Sequence, residues 1–254
     1  MEEKPSDVAN EAANHDKTKT ARGLHGPSLG IGAGIAIVSI ISVVFAMSVI
    51  DSNPELQFEE KKPEPDSQEV VMSLFTANAS PFLGDENAPI TMIEFGDYQC
   101  FYCNKFFHET ESLILKNYVE TGKVKIIFKD FTIIGPDSIA AANAAHCSSD
   151  QGKFWEYHDA LYNNWGGENN GWASSENLLK FAKSIGLNEE SFVKCMIEKK
   201  YDQLVTASNN DARTLGLTGT PGFFIIGPDN QVTKIPGAQP YESFQKIFDI
   251  ELAK

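Results

Sequence analysis

Ile90-Thr91-Met92-Ile93-Glu94-Phe95-Gly96-Asp97-Tyr98-Gln99-Cys100-Phe101-Tyr102-Cys103 is the stretch on which the reading of this chain turns. Its first six residues, ITMIEF, are nearly all apolar and read as a buried strand. The cysteine pair follows at once and opens an amphipathic segment running from Asn104 to Tyr118, so the order is strand, turn, helix. Two cysteines three apart on the first turn of a helix can both reach one sulfur-sulfur bond. Cys100 would then sit at the helix N-terminus, where unpaired backbone N-H groups and the positive end of the macrodipole stabilise a thiolate. The thiolate is the nucleophile: Cys100 would attack or be attacked by another sulfur, and Cys103, one turn further in, would resolve the mixed disulfide. Half of a zinc site and an inert core pair are the competing readings. Structural zinc takes four ligands, however, and Cys147 and Cys195 form no second pair of that spacing. The flanking strand and helix favour redox chemistry.

Working outward, VKIIFKDF, Val124 to Phe131, is the next strand, set off from the helix by Gly122. Five helical segments follow without a strand, near Pro136 to Cys147, Lys153 to Asn164, Ser175 to Ile185, Glu189 to Glu198 and Tyr201 to Leu215. Strands return at Gly222 to Ile226 and Gln231 to Ile235 around the turn Gly227-Pro228-Asp229-Asn230, and Tyr241 to Leu252 closes the chain as a helix. The expected fold class is α/β: a central mixed sheet flanked by helices, with a helical insertion at about 136–216. Glu94 and Lys129 each interrupt an apolar strand run, where a charge must be paired or must perform a task unless it points outward from an edge strand.

Before this domain lies a different kind of sequence. Between Arg22 and Asp51 there is no Asp, Glu, Lys or Arg, and Leu29 to Ile50 is a run of 22 mostly apolar or small residues. At about 1.5 Å per residue it reaches across a hydrocarbon core of roughly 30 Å. Lys17, Lys19 and Arg22 precede it and Asp51, Glu55, Glu59 and Glu60 follow, so the positive-inside bias leaves the N-terminus in the cytoplasm. A cleaved signal peptide is the competing reading, but its apolar region is normally shorter and Ala46-Met47-Ser48 fits the cleavage pattern only in part. Both readings export everything after residue 51. Residues 51–80, rich in proline and charge, read as an extended linker. The expected organisation is a cytoplasmic tail over 1–27, a transmembrane helix over 28–50, the extracytoplasmic linker over 51–80 and the folded domain over 81–254.

The formal net charge of -14 argues against a nucleic-acid partner, which would require clustered Lys and Arg. In an oxidising exterior Cys147 and Cys195 read as a structural disulfide. His108, His146 and His158 fall one apiece on three expected helices with no ligand spacing, so they read as surface or capped histidines and no metal is expected. Phe154, Trp155, Tyr157 and Tyr162 read as mostly core.

The segment Ile93 to Cys103 resembles the active-site stretch of DsbA-type thiol-disulfide oxidoreductases of the thioredoxin superfamily, including the membrane-tethered forms of Gram-positive bacteria and archaea. Gly219-Thr220-Pro221 followed by Gly222-Phe223-Phe224 is similar to their cis-proline loop, and Cys147 to Leu161 resembles their helical insertion. The likeness covers roughly Phe82 to Leu252. It implies a thioredoxin fold with an inserted helical subdomain, and a cis Pro221 facing the dithiol, with Thr220 offering main-chain hydrogen bonds to an extended substrate. It also implies that Glu94 and Lys129 lie beneath the dithiol and handle the proton of Cys103. The implied activity is disulfide formation or isomerisation in exported polypeptides, with no cofactor beyond the dithiol. The implied partner is a membrane protein of the quinone-linked DsbB or vitamin K epoxide reductase-like type. Phe101 and Tyr102 depart from the family, whose members commonly carry Pro and then His between the cysteines, so no imidazolium stands beside Cys100. This leaves the oxidase, isomerase and reductase directions open. A non-catalytic binding module or a metal trap built on Cys100 and Cys103 is the alternative from another class.

Overall fold

The computed structural model describes residues 67–254. The expected tail and membrane span lie outside the described residues, among which no helix is long and apolar enough to cross a membrane. Four strands, β1 (Ile90–Gly96), β2 (Val124–Asp130), β3 (Gly222–Ile226) and β4 (Val232–Pro236), form one mixed sheet in the order β2-β1-β3-β4. β1 runs parallel to β2, and β3 is antiparallel to both β1 and β4. A parallel pair needs a crossover. Here it is one continuous helical rod made of α2 (Phe101–Phe106), a π-type turn over Phe107–Glu111, α3 (Ser112–Ile114) and a second π-type turn over Leu115–Val119.

Successive strand residues point to opposite faces, and both faces of β1 are covered, which is why its sequence is apolar almost throughout. Ile90 and Met92 join Phe223, Ile225 and Phe106 under α9 (Tyr241–Leu252), whose Phe244 and Phe248 are fully buried. Ile93 and Phe95 face the other way, toward Phe224, Ile226 and Phe131.

The insertion between β2 and β3 consists of α4 (Pro136–Ser149), α5 (Phe154–Asn163), α6 (Ser175–Ser184), α7 (Glu189–Ile197) and α8 (Asp202–Thr214). Its starts follow local chemistry: Pro136 opens α4, the Ser174 hydroxyl accepts from Asn177 N, and the Asn188 side chain accepts from Ser191 N. Ala141, Ala142, Ala144 and Ala145 are buried and let α4 pack closely on α5 and α7. Cys147 of α4 is bonded to Cys195 of α7, 48 positions further along the chain, with Cα atoms 5.8 Å apart. Closing a loop of that length contributes roughly 4 kcal/mol.

The folded unit begins earlier than residue 81. Within the expected linker, α1 (Ser67–Thr76) is a helix that docks through Phe75, a buried ring 5.0 Å from Phe224. The proline and charge that suggest an extended stalk are concentrated before it, over 51–66, whereas VVMSLF carries enough apolar surface to pay for helix formation by packing.

Candidate active site

Asp97 organises the approach to the cysteines. Its buried carboxylate accepts from the amides of Gln99 (2.9 Å), Ile133 (2.9 Å) and Ile134 (3.0 Å), tying the turn after β1 to the loop after β2. Burial raises its pKa despite these hydrogen bonds. Gly96 just before it admits no side chain, because a Cβ there would stand 2.5 Å from the ring of Phe128. Cys100 is the extended residue that precedes α2, its N-H donating to Asp97 O (2.9 Å) and its carbonyl accepting from Asn104 N (3.0 Å).

Cys100 and Cys103 are free and differ sharply in environment. The Cys100 thiol lies 3.4 Å from the carbonyl oxygen of Thr220, and the Thr220-Pro221 peptide is cis. The cis-proline loop thus faces the outer cysteine. Hydrogen bonding from Cys103 first, then from the Thr220 side chain and the amides of Cys103 and Tyr102, lowers the Cys100 pKa to about 6 against the effect of burial. Cys103 is fully buried, and desolvation pushes its pKa well up. One sulfur is therefore a thiolate at neutral pH and the other a thiol.

Glu94 reaches the dithiol from below. In register it pairs with Phe128 and Phe223, so it shares the face of the sheet covered by α2 and α9, and burial first, then the Glu111 and Cys100 charges, raise its pKa. Lys129, expected beside it, lies on the opposite face. It pairs with Phe95 in register, binds Asp211 Oδ2 at 2.8 Å and the carbonyl of Ala77, and stands 5.4 Å from the Phe95 ring. The period of two separates the residues: Phe128 occupies the position above Glu94, and Lys129 is turned away by one step.

The companion of Glu94 is another acid. Glu111, on the first π-type turn, is buried, and desolvation with the Asp159 charge raises its pKa to about 8. Its Oε1 lies 4.0 Å from His158 Nε2, and His158 Nδ1 is 3.0 Å from the Tyr98 hydroxyl. Burial lowers the His158 pKa to about 3, so this ring is a neutral core histidine and not a surface one. His146 is likewise buried, 2.7 Å from Asp130, while His108 is exposed. Phe154, Tyr157 and Tyr162 are core and Trp155 is half-buried. Beneath the dithiol the structure therefore places two buried carboxyls with raised pKa values, a neutral imidazole and the rings of Tyr98 and Tyr162, where a carboxyl and an amine are expected.

The outer rim is open and aromatic. Phe101 and Tyr102 are 51% and 59% exposed, and Trp165 packs 6.0 Å from the Phe101 ring. A shallow groove lined by Leu217, Thr218, Thr220, Pro221, Lys234 and Pro236 runs along the cis-proline loop. Among the described residues no three His, Cys, Asp or Glu side chains converge as a metal site.

Residues 76–249 match the family profile described as Thioredoxin. The chain belongs to the thioredoxin family. Within it the protein is a DsbA-like thiol-disulfide oxidoreductase. It is 27% identical over 235 residues to the probable disulfide bond formation protein D of Bacillus cereus, covering 89% of this chain and 97% of that one. The oxidised BdbD structure from Bacillus subtilis superposes with a TM-score of 0.62 at 25% identity, over 68% of this chain and 93% of that one. Wolbachia pipientis alpha-DsbA1 superposes with a TM-score of 0.60 at 27% identity, over 67% and 89%. The thioredoxin fold of this family member is the expected one, with its mixed sheet, helical insertion and dithiol at the start of a helix.

Proposed function

We propose that this DsbA-like protein exchanges disulfides with exported polypeptides in the direction of disulfide formation or isomerisation, with Cys100 as nucleophile and Cys103 as resolving thiol. One observation carries the assignment of roles: the two sulfurs are split into an acidic outer cysteine under the Thr220 carbonyl and a fully buried inner one. With the pair oxidised, a substrate thiolate attacks Cys100 Sγ, the sulfur-sulfur bond breaks, and the leaving Cys103 sulfur takes a proton from the neutral carboxyl of Glu94. A second substrate thiolate then attacks the substrate sulfur of the mixed disulfide. Cys100 leaves as a thiolate, and two electrons have passed from the substrate to the dithiol. Thr220 and Pro221 hold the substrate as an extended segment beside Cys100, and Phe101 and Tyr102 add exposed aromatic surface.

The uncharged run Leu29 to Ile50, preceded by Lys17, Lys19 and Arg22, supports a single-pass anchor with a cytoplasmic N-terminus and an extracytoplasmic domain. A membrane partner of the DsbB or vitamin K epoxide reductase-like type would reoxidise the dithiol, and no cofactor beyond the dithiol is required. Refolding of a reduced, scrambled substrate in a glutathione buffer tests the reading. The wild type should accelerate it and Cys100→Ser should not; equal rates would favour a binding module.

A further inference from the structure

The first turn of a helix leaves its amides without intrahelical partners, and at the start of α2 those amides are the ones nearest the nucleophile. Cys100 provides no side-chain cap. The amides of Tyr102 and Cys103 are among the groups that lower the Cys100 pKa. The amide of Phe101 is directed elsewhere: it donates to Glu168 Oε1 at 3.0 Å, across 67 positions of sequence.

Glu168 is delivered by the loop between α5 and α6, and that loop is fastened to the active-site turn. Trp165 Nε1 donates to Gln99 O (2.8 Å), Asn169 N donates to Gln99 Oε1 (2.6 Å), and Gln99 Nε2 donates to Ser138 Oγ (2.9 Å). Asn169 Nδ2 donates to Ile134 O (3.3 Å), and its side chain lies so close to Gly135 that a Cβ there would fall 2.1 Å from Asn169 Oδ1. The residue just before the dithiol therefore holds the loop that brings a carboxylate to the dithiol.

We propose that Glu168 is a positioning residue that restrains the oxidising strength of the Cys100/Cys103 pair, by placing a negative charge on the first free amide of the helix that begins at the nucleophile. The proposal rests on the exchange function above. Other groups facing Cys100 are Cys103 and Glu94 from beneath and Thr220 from the opposite loop. Phe101 and Tyr102 contribute no cation. A carboxylate at a helix N-terminus is itself stabilised there, and a second anion competes for the same dipole. The thiolate exists only in the reduced form, so a carboxylate beside it destabilises the dithiol relative to the disulfide, and the disulfide becomes a weaker oxidant.

Glu168→Gln keeps an acceptor for the Phe101 amide and removes the charge. At low salt it should shift the glutathione equilibrium of the pair about two- to fivefold toward the dithiol, roughly 9–21 mV at 29.6 mV per tenfold. In a Cys103→Ser background it should lower the Cys100 titration midpoint, read by ultraviolet thiolate absorbance, by about 0.3–0.7 of a unit. Both differences should shrink in about 1 M salt, where the screening length falls to roughly 3 Å; a merely structural role would not respond in this way. An unchanged midpoint and potential at low salt, or a shift of the opposite sign, overturns the proposal. The titration reads Cys100 whether or not the wild type accelerates refolding, so failure of the exchange function would be seen separately.

Discussion

At the scale of the residue, the two cysteines share a helix turn and differ in what surrounds their sulfurs. The folded Cys100 pKa of about 6 lies below its ordinary value of 9.0, so the thiolate stabilises the reduced folded form most fully above about pH 9. That contribution is lost as pH falls through about 6. Reduced protein should accordingly react with a small disulfide at a rate that rises with a midpoint near pH 6. On the proposal that Glu94 supplies the proton to Cys103, Glu94→Ala should slow exchange about tenfold or more, and change its pH dependence, while circular dichroism shows a folded domain. A rate constant unchanged across pH would count against the role of Glu94. A charge inside ITMIEF made Glu94 legible in the sequence. Lys129 carried the same signal and pointed the wrong way, because β2 is apolar on both faces and only the register with β1 tells Phe128 from Lys129.

At the scale of the element, helices and strands were legible from period and breakers, and α9 spans the residues expected of it. Other features had no such signal. Asp97 looks like an ordinary turn acid until the loop after β2 supplies the amides of Ile133 and Ile134. Deleting its carboxylate strands one buried and two part-buried donors, so Asp97→Ala should cost about 2–3 kcal/mol, or roughly 4–12 °C in Tm by calorimetry. A loss below about 1 °C would show that water replaces it without penalty. Glu111 was hidden for a different reason. It sits on a π-type turn, which shifts the phase of everything after it, so a period of 3.6 does not foretell that it turns inward.

At the scale of the whole molecule, the order of elements was enough to place a helical insertion inside a mixed sheet, and a disulfide between α4 and α7 secures that insertion. The long-range contacts were not readable in the same way: the docking of α1 and the loop carrying Glu168 depend on surfaces made only when the chain has folded. The buried acids tax the fold as pH rises. The folded pKa of Glu111, about 8, exceeds its ordinary 4.5, so its contribution to stability is fully present below about pH 4.5 and is lost as pH rises through 8. Wild-type Tm should therefore fall between about pH 5 and pH 8, and Glu111→Gln should flatten that slope; parallel slopes would contradict it. The contrast between an acidic Cys100 and a fully buried Cys103 argues for one attacking sulfur, and trapping tests this most directly. Cys103→Ser, mixed with a substrate whose cysteine is held as a mixed disulfide with an aromatic thiol, should release the aromatic thiolate and accumulate a disulfide-linked complex through Cys100 that a reductant dissolves, whereas no complex, or an equally abundant one through Cys103 in Cys100→Ser, would contradict Cys100 as the nucleophile.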